Sequence, residues 1–259
     1  MAQSQTTSLA KRNELSRFLR APEATQQLQR ACTEAMTAER LIKIGQTLLT
    51  KNNFDRVDKI SFYNALLESA SLGLEPMLGR LYFIPYGDQL QVQLGYQGLL
   101  ELGRRGGVTA TAHLDYEGDE FEWFSGFSDN IIHKPNLQHE RTDSDIIYAY
   151  CVWKDASGEK HAEVMTRKEI DRIRRCSKCG GWGPWKDFYG EMCKKTVVRR
   201  AAKYWPLTFE AMSAIERDDE RNYNKSEVQD SVNDAILDLA RQLKVTTQAT
   251  TTEIENKSN

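Results

Sequence analysis

Between Leu28 and Leu49 the apolar residues Leu28, Cys32, Ala35, Leu41, Ile44 and Leu48 recur near helical spacing, with a break at Met36-Thr37. Threonine is a helix-capping residue, so the break predicts two helices rather than one. Ahead of them, residues 1–25 show little periodicity and predict a mobile arm with at most one short helix. Phe62 to Leu72 predicts another helix, with Phe62, Leu66 and Ala70 on one side and Gly73 placed to accept the left-handed conformation that ends it.

The period then changes. Gln89-Leu90-Gln91-Val92-Gln93-Leu94 alternates strictly, putting Leu90, Val92 and Leu94 on one face of a strand and three glutamines on the other. Tyr86-Gly87-Asp88 suits a hairpin connection before it. Gln97 to Arg105 predicts a short helix stopped by Gly106-Gly107. Strand-like runs follow at Thr109–Tyr116, Glu120–Phe124, Ile146–Trp153 and His161–Met165, with turns at Gly118-Asp119 and Asp155–Gly158. These runs lack intervening helical patterns, so they predict antiparallel pairing and an α+β fold rather than βαβ units.

Thr166 and Glu169 have capping-box spacing and predict a helix over 167–175. After Gly180–Pro184, Asp187 is placed to cap a helix reaching Tyr204 or Trp205, before Pro206. A charged helix is expected from Phe209 to Arg221, and an amphipathic one over 226–244 with Val228, Val232, Ile236, Leu239 and Leu243 on one stripe. The polar end after it reads as disordered. The organisation expected is an arm (1–27), a core (28–215) and an acidic C-terminal partner-binding segment (216–259).

Composition narrows the function classes. The 259 residues are 40% apolar and 28% charged, too apolar for wholesale disorder. No run approaches the roughly 20 apolar residues of a spanning helix. The N-terminal residues lack a secretory pattern, and the five cysteines suggest reduced thiols rather than a disulfide framework, so a cytoplasmic protein is expected. Net charge is only -2, yet residues 167–205 carry 12 basic and 4 acidic side chains while residues 61–166 carry 7 and 16. A basic block inside an acidic chain is the footprint of a phosphate-binding surface, because polyanion affinity follows local potential.

That block centres on EMCKKTVVRRAAKYW. At about 100° per residue, Lys195, Arg199 and Lys203 align, with Arg200 beside them, opposite an apolar seat of Val197, Val198, Ala201, Tyr204 and Trp205. Crowded like charges repel along such a face, a cost that a polyanion removes. Lys194 falls on the apolar side, where its stem must snorkel or its ammonium meet a phosphate. The alternative is a solvated basic face. Next to it, Trp182, Trp185, Lys178 and Lys186 mix aromatics with cations, suited either to base stacking or to core packing.

Cys176-x-x-Cys179 lacks a second cysteine pair to complete a zinc site, so non-ligating thiols are the default reading. Asp115, Glu117, Asp119, Glu120 and Glu122 present two readings. They could form the metal site of a nuclease; more economically, Asp115, Glu117, Glu120 and Glu122 are the solvent face of a hairpin alternating with Leu114, Tyr116, Phe121 and Trp123. Walker-type, dinucleotide-binding, HExxH and GxSxG motifs are missing, which disfavours a nucleotide-driven recombinase or helicase. The four histidines, at 113, 133, 139 and 161, form no local catalytic cluster in sequence and read as ordinary strand or loop residues.

Three long blocks, in order, resemble the RecT family of phage and prophage single-strand annealing proteins: SASLGLEPMLGRLYFIPYGDQLQVQLGYQGLLELGRRGG (69–107), DYEGDEFEW with IIHKP (115–135), and GPWKDFYGEMCKKTVVRRAAKYWPL (183–207). With the similar helical stretch before them, the resemblance covers roughly residues 30–210. It implies a non-enzymatic protein that coats single-stranded DNA and pairs complementary strands in homologous recombination, without ATP. It further implies rings or helical filaments, a partner 5′-to-3′ exonuclease, and an α+β groove related to the lambda Beta annealing core. The CSKC loop and the acidic stretch 216–220 depart from the family pattern.

Annealing demands tight, sequence-blind backbone binding with base edges left free. Lys194, Lys195, Arg199, Arg200 and Lys203 are the expected phosphate contacts, assisted by Arg104 and Arg105 and more weakly by Lys186. Gln93, Tyr96 and Gln97, at a strand-to-helix corner, are expected to make polar or stacking contacts. No cofactor is expected to be required, with magnesium at most a modulator. The expected partners are single-stranded DNA, the annealed duplex, further copies of the chain, an exonuclease and the host single-strand-binding protein, the last two through 226–244, which could equally fold back on the core. The rival reading is a metal-dependent nuclease using residues 115–122.

Overall fold

The computed structural model describes residues 12–51, 54, 56–126, 129–138, 140–177, 181 and 183–222. Its fold is α+β with antiparallel pairing throughout the described strands. The first helices are α1 over residues 12–19, α2 (Pro22–Ala31), α3 (Ala38–Lys51) and α4 (Lys59–Leu72). They surround an apolar centre in which Leu19, Leu28, Leu41, Phe62 and Leu66 are fully buried.

α1 and most of α2 lie in the segment expected to form the arm. Leu15, Leu19 and Ala24 join the core, so the packed unit begins ahead of residue 28. The periodicity was hidden because each helix is short and contributes only two buried apolar residues, separated by a turn at Arg20-Ala21. The break at Met36-Thr37 separates α2 from α3 as expected, and Thr37 Oγ1 accepts from the Arg40 backbone amide at 3.3 Å. At the start of α4, the Asp58 carboxylate accepts from the amides of Ile60 and Ser61 at 2.8 and 3.1 Å. Such a cap stabilises the helix by about 1 kcal/mol. Gly73, at φ 60°, ends α4 in the left-handed region that disfavours side-chain-bearing residues.

β1 (Leu81–Tyr86) and β2 (Gln89–Leu94) form the first hairpin, in register from Leu81 opposite Leu94 to Tyr86 opposite Gln89. Leu90, Val92 and Leu94 point into the core, as the alternation predicts. Ser61 Oγ accepts from the Leu90 amide at 2.7 Å, tying hairpin to α4. α5 (Tyr96–Arg105) follows directly.

The second sheet has the order β3-β6-β7, from β3 (Thr109–Tyr116), β6 (Ile146–Lys154) and β7 (Lys160–Thr166). Between β3 and β6 the chain makes a separate hairpin, β4 (Glu120–Phe124) with β5 (Asn130–Lys134). β5 escaped the pattern because its apolar residues Ile131 and Ile132 are adjacent, so the sequence shows no apolar–polar alternation although burial alternates along the strand. α6 (Arg167–Cys176) starts at the expected box, Thr166 Oγ1 accepting from the Glu169 amide while the Glu169 carboxylate accepts from Thr166.

α7 (Pro184–Asp187) is a single turn, and α8 (Tyr189–Ala201) begins after Phe188. Asp187 therefore belongs to α7 and does not cap α8, whose start has no side-chain cap. A 3-10 turn over Ala202–Tyr204 leads to α9 (Phe209–Asn222). α9 crosses residue 216 without interruption and buries Asp218, so the boundary expected between 215 and 216 falls inside a packed helix. The amphipathic segment 226–244 lies outside the described residues.

Candidate nucleic-acid interface

α8 lies against β3, β6 and β7 on one side and against α5 on another. Its seat is made by Cys193, Val197, Val198 and Ala201, all fully buried. Gly190 permits the close approach: a Cβ there would sit 3.0 Å from Leu114 and 3.3 Å from an Asp143 carboxylate oxygen. At the other end Trp205 is buried against Gly103 of α5 and meets Trp153 of β6 edge-on at 6.4 Å.

The basic side chains of this region separate into distinct environments. Arg199 is 7% exposed, on the buried side of α8 rather than on its exterior. Its Nη1 reaches Asp218 and its Nε reaches Asp219, each at 2.7 Å, and Nη2 donates to the Ile215 carbonyl at 3.0 Å. The expected alignment of Arg199 with exposed cations is thereby corrected: α9, invisible to a pattern drawn from α8 alone, covers that face and supplies two carboxylates. Lys195 is half-buried beside the same group. Burial pushes its ammonium below the ordinary lysine range, Arg199 adds to the shift, and Asp218 and Asp219 oppose it.

Arg105 is likewise occupied. It donates to the carbonyls of Leu72 and Gly73 at 2.9 Å and pairs with Glu101 at 2.7 Å, capping the C-terminal end of α4. Lys194 pairs with Glu191 at 2.7 Å, and Tyr96 Oη donates to the other oxygen of the same carboxylate at 3.2 Å. Burial works against the Lys194 charge, but Glu191 holds its pKa above the usual value. α5 and α8 thus bring Tyr96 and Lys194 together, as two of the residues expected at the interface.

Arg200 is exposed and spans Glu163 of β7 at 2.8 Å and Glu169 of α6 at 3.0 Å. Arg104, Lys186 and Lys203 are exposed and make no ion pair among the described residues. Gln97 is exposed and Gln93 half-buried in its strand. The alternation of β2 directs Gln93 away from Val92 and Leu94, as expected.

Two exposed aromatics flank α8. Phe188, 64% exposed, precedes it next to Lys186, and Tyr204, 72% exposed, follows it next to Lys203. The expected placement of Tyr204 in the apolar seat fails because the helix gives way to the 3-10 turn at Ala202, which changes the angular spacing. Phe188 was overlooked because DFYG read as part of a helix start. Trp185, by contrast, is 3% exposed and packs beside Tyr189, which decides between stacking and core for that residue. Trp182, Lys178, Cys179 and His139 lie outside the described residues. A cleft beside Tyr204 is lined by Trp153, His161, Asp129, Asp155 and Glu163, and its carboxylates make it unsuited to phosphate.

Cys176 is buried and free, as are Cys151 and Cys193. Burial pushes the latter two thiols up to about 12. They are poor nucleophiles and poor metal ligands there.

The acidic hairpin also differs from expectation at one end. Glu117, Glu120 and Glu122 are exposed, as solvent-facing hairpin residues, but Asp115 is 2% exposed. A register shift between Asp115 and Tyr116 interrupts the two-residue alternation, so Leu114 and Asp115 are both buried. His133 Nε2 lies 3.0 Å from Asp119 and 3.6 Å from Asp115, and its Nδ1 lies 2.7 Å from Tyr150 Oη. Arg141 pairs with Asp119 at 2.8 Å and rests over the Tyr116 ring. Burial raises the Asp115 pKa to about 6 and, with the Asp115 and Asp119 charges, that of Tyr150 to about 12. These acidic groups converge inward, which an open catalytic site could not use without exposing them.

The model of the RecT family matches residues 39–232, a span that contains the hairpins, α5 and all of α8. The chain belongs to the RecT family, proteins of single-strand annealing in recombination. It is similar to Protein RecT of Escherichia coli (strain K12), 36% identical over 222 residues that cover 81% of each chain. It is also similar to the uncharacterized protein YqaK of Bacillus subtilis (strain 168), 23% identical over 197 residues, 72% of this chain and 67% of the other. Among the described residues no helix is long and apolar enough to cross a membrane.

Proposed function

We propose that this chain binds single-stranded DNA along α8 and its flanks and anneals complementary strands without ATP. The observation that carries the proposal is the exposed cation–aromatic pairing at both ends of the helix, Lys186 with Phe188 and Lys203 with Tyr204. At about 1.5 Å per residue the two pairs are on the order of 20 Å apart, long enough for a run of phosphates. Lysines holding the backbone while rings stack on bases give affinity without reading sequence, which is what a search for a complement requires.

Arg104 and Arg200 join Lys186 and Lys203 as phosphate contacts in this reading, Arg200 by exchanging Glu163 and Glu169 for a phosphate. Lys194 and Tyr96 act at the α5–α8 junction, and Gln93 and Gln97 line the neighbouring corner. Lys195 is placed to gain charge stabilisation from a phosphate, since its present surroundings disfavour its ammonium. Arg199 and Arg105 hold α9 and α4 in place. A single groove holds too few nucleotides for stable pairing, so the active form is a ring or filament of copies that carry one strand continuously. It acts on strands exposed by a 5′-to-3′ exonuclease, with a single-strand-binding protein as a further partner.

The test is the pairing rate of two complementary labelled oligonucleotides without nucleotide, with and without magnesium, followed on a denaturing gel. Faster pairing with full-length DNA is the expected result. Binding without acceleration reduces the protein to a single-strand coat, and shortened DNA reverses the reading in favour of a nuclease.

A further inference from the structure

The buried group at the base of the β4–β5 hairpin takes no part in the DNA contacts proposed above. Asp115 comes from β3, Asp119 from the turn after it and His133 from β5. Their side chains are 3%, 1% and 10% exposed, and one ligand atom from each lies within 4.8 Å of the others. Asp115 Oδ1 is buried with no hydrogen-bond partner. An orphaned buried carboxylate oxygen has lost its hydration without a compensating bond, so the fold tolerates it for a reason.

The spacings suggest the reason. Two ligands each about 2.1 Å from a tetrahedral ion stand about 3.4 Å apart. His133 Nε2 is 3.0 Å from the Asp119 oxygen and 3.6 Å from the orphaned Asp115 oxygen. A single N–H at Nε2 can serve Asp119 but leaves Asp115 unsatisfied, whereas a cation at this position serves both. Tyr150 Oη, 2.7 Å from Nδ1, can accept a hydrogen bond from Nδ1–H, which fixes the tautomer that leaves the Nε2 lone pair for a metal. Arg141 remains on Asp119 as an outer partner, and with it the two carboxylates carry one net negative charge for a cation to neutralise.

We propose that Asp115, Asp119 and His133 form a site for a divalent first-row transition ion of the zinc type that fastens the β4–β5 hairpin to the three-stranded sheet. One imidazole nitrogen with two carboxylates favours such an ion over magnesium or calcium, which take oxygen ligands. The site is too enclosed for a substrate, so the ion is structural.

Full-length protein stripped with chelator should be titrated with Zn2+ by calorimetry and with Co2+ by visible absorption. The expected result is one equivalent bound, a Co2+ spectrum of nitrogen and oxygen ligation, and a raised unfolding temperature. Asp115→Asn should weaken binding by more than about a hundredfold, beyond the loss of an outer partner, while Asp155→Asn, in the Asp155, Glu159 and His161 group at the other end of the sheet, should leave it unchanged. If Asp115→Asn does not fold, imidazole NMR of the wild type decides, the ion perturbing His133. No stoichiometric binding, sulfur-to-cobalt charge transfer, perturbation of His161 instead, or unchanged affinity in a folded Asp115→Asn would overturn the proposal.

Discussion

Arg199 Nη1 meets Asp218 at 2.7 Å with the two side chains 8% and 1% exposed, so α8 commits one of its two arginines to holding α9. Removing one partner of a buried pair leaves the other charge without compensation, at a cost of about 3–5 kcal/mol. Arg199→Ala should therefore lower the urea midpoint strongly. Arg200→Ala, which loses an exposed pair with Glu169 and one with the largely covered Glu163, should cost less stability than Arg199→Ala and reduce the salt slope of DNA binding by about one. A stable Arg199→Ala protein with a flattened salt slope would return Arg199 to the phosphate contacts.

The two ends of α8 should separate charge from stacking. Lys186→Ala and Lys203→Ala are surface changes expected within about 0.5 kcal/mol of wild-type stability. Each should lower the salt slope of oligonucleotide binding by about one. Phe188→Ala and Tyr204→Ala should weaken binding by about 1–3 kcal/mol each with the slope retained. Fluorescence anisotropy over a series of salt concentrations distinguishes these patterns, and aromatic variants that bind like wild type would remove stacking from the mechanism.

Gly103 reports on the seat of α8. A Cβ there would lie 2.7 Å from Cε3 of the buried Trp205, a ring confined by Trp153. Overpacking of this kind costs about 1–3 kcal/mol. Gly103→Ala should lower the melting temperature, and an unchanged melt would show that the Trp205 ring has room to turn.

Local signals account for much of what was legible in the sequence. The Gln89–Leu94 alternation, the Thr166–Glu169 box and the Gly73 stop each depend on neighbours in the chain, and each stands in the structure. Long motifs likewise carried the family. What failed depended on distant residues or on local irregularity. Arg199 is buried because α9 returns to it, Arg105 is committed because α4 ends beside it, and Asp115 turns inward at a register shift that no two-residue period contains. His133 was read alone because its partners are set by sheet packing, although the run from Asp115 to His133 held every residue of the cluster. Charge counting pointed to α8 but could not tell which of its cations were already paired.

The turn between β6 and β7 should shape the acid limb of stability. Asp155 Oδ1 accepts from the Ser157 hydroxyl at 2.6 Å and from the amides of Ser157 and Glu159 at 2.9 and 3.0 Å, while Oδ2 faces His161 at 3.3 Å. The Ser157 hydroxyl bond leads the causes that lower this carboxyl from 3.8 to about 2, with burial opposing. A carboxyl whose folded pKa is depressed stabilises the fold above its unfolded pKa and loses that contribution as pH falls through the folded one. The window is therefore about pH 4 to 2. Urea unfolding of wild type and Asp155→Asn should differ by a constant amount above pH 5, and the difference should shrink steadily toward pH 2. A difference that does not change with pH would mean that the turn is held by the shape of the side chain rather than by its charge.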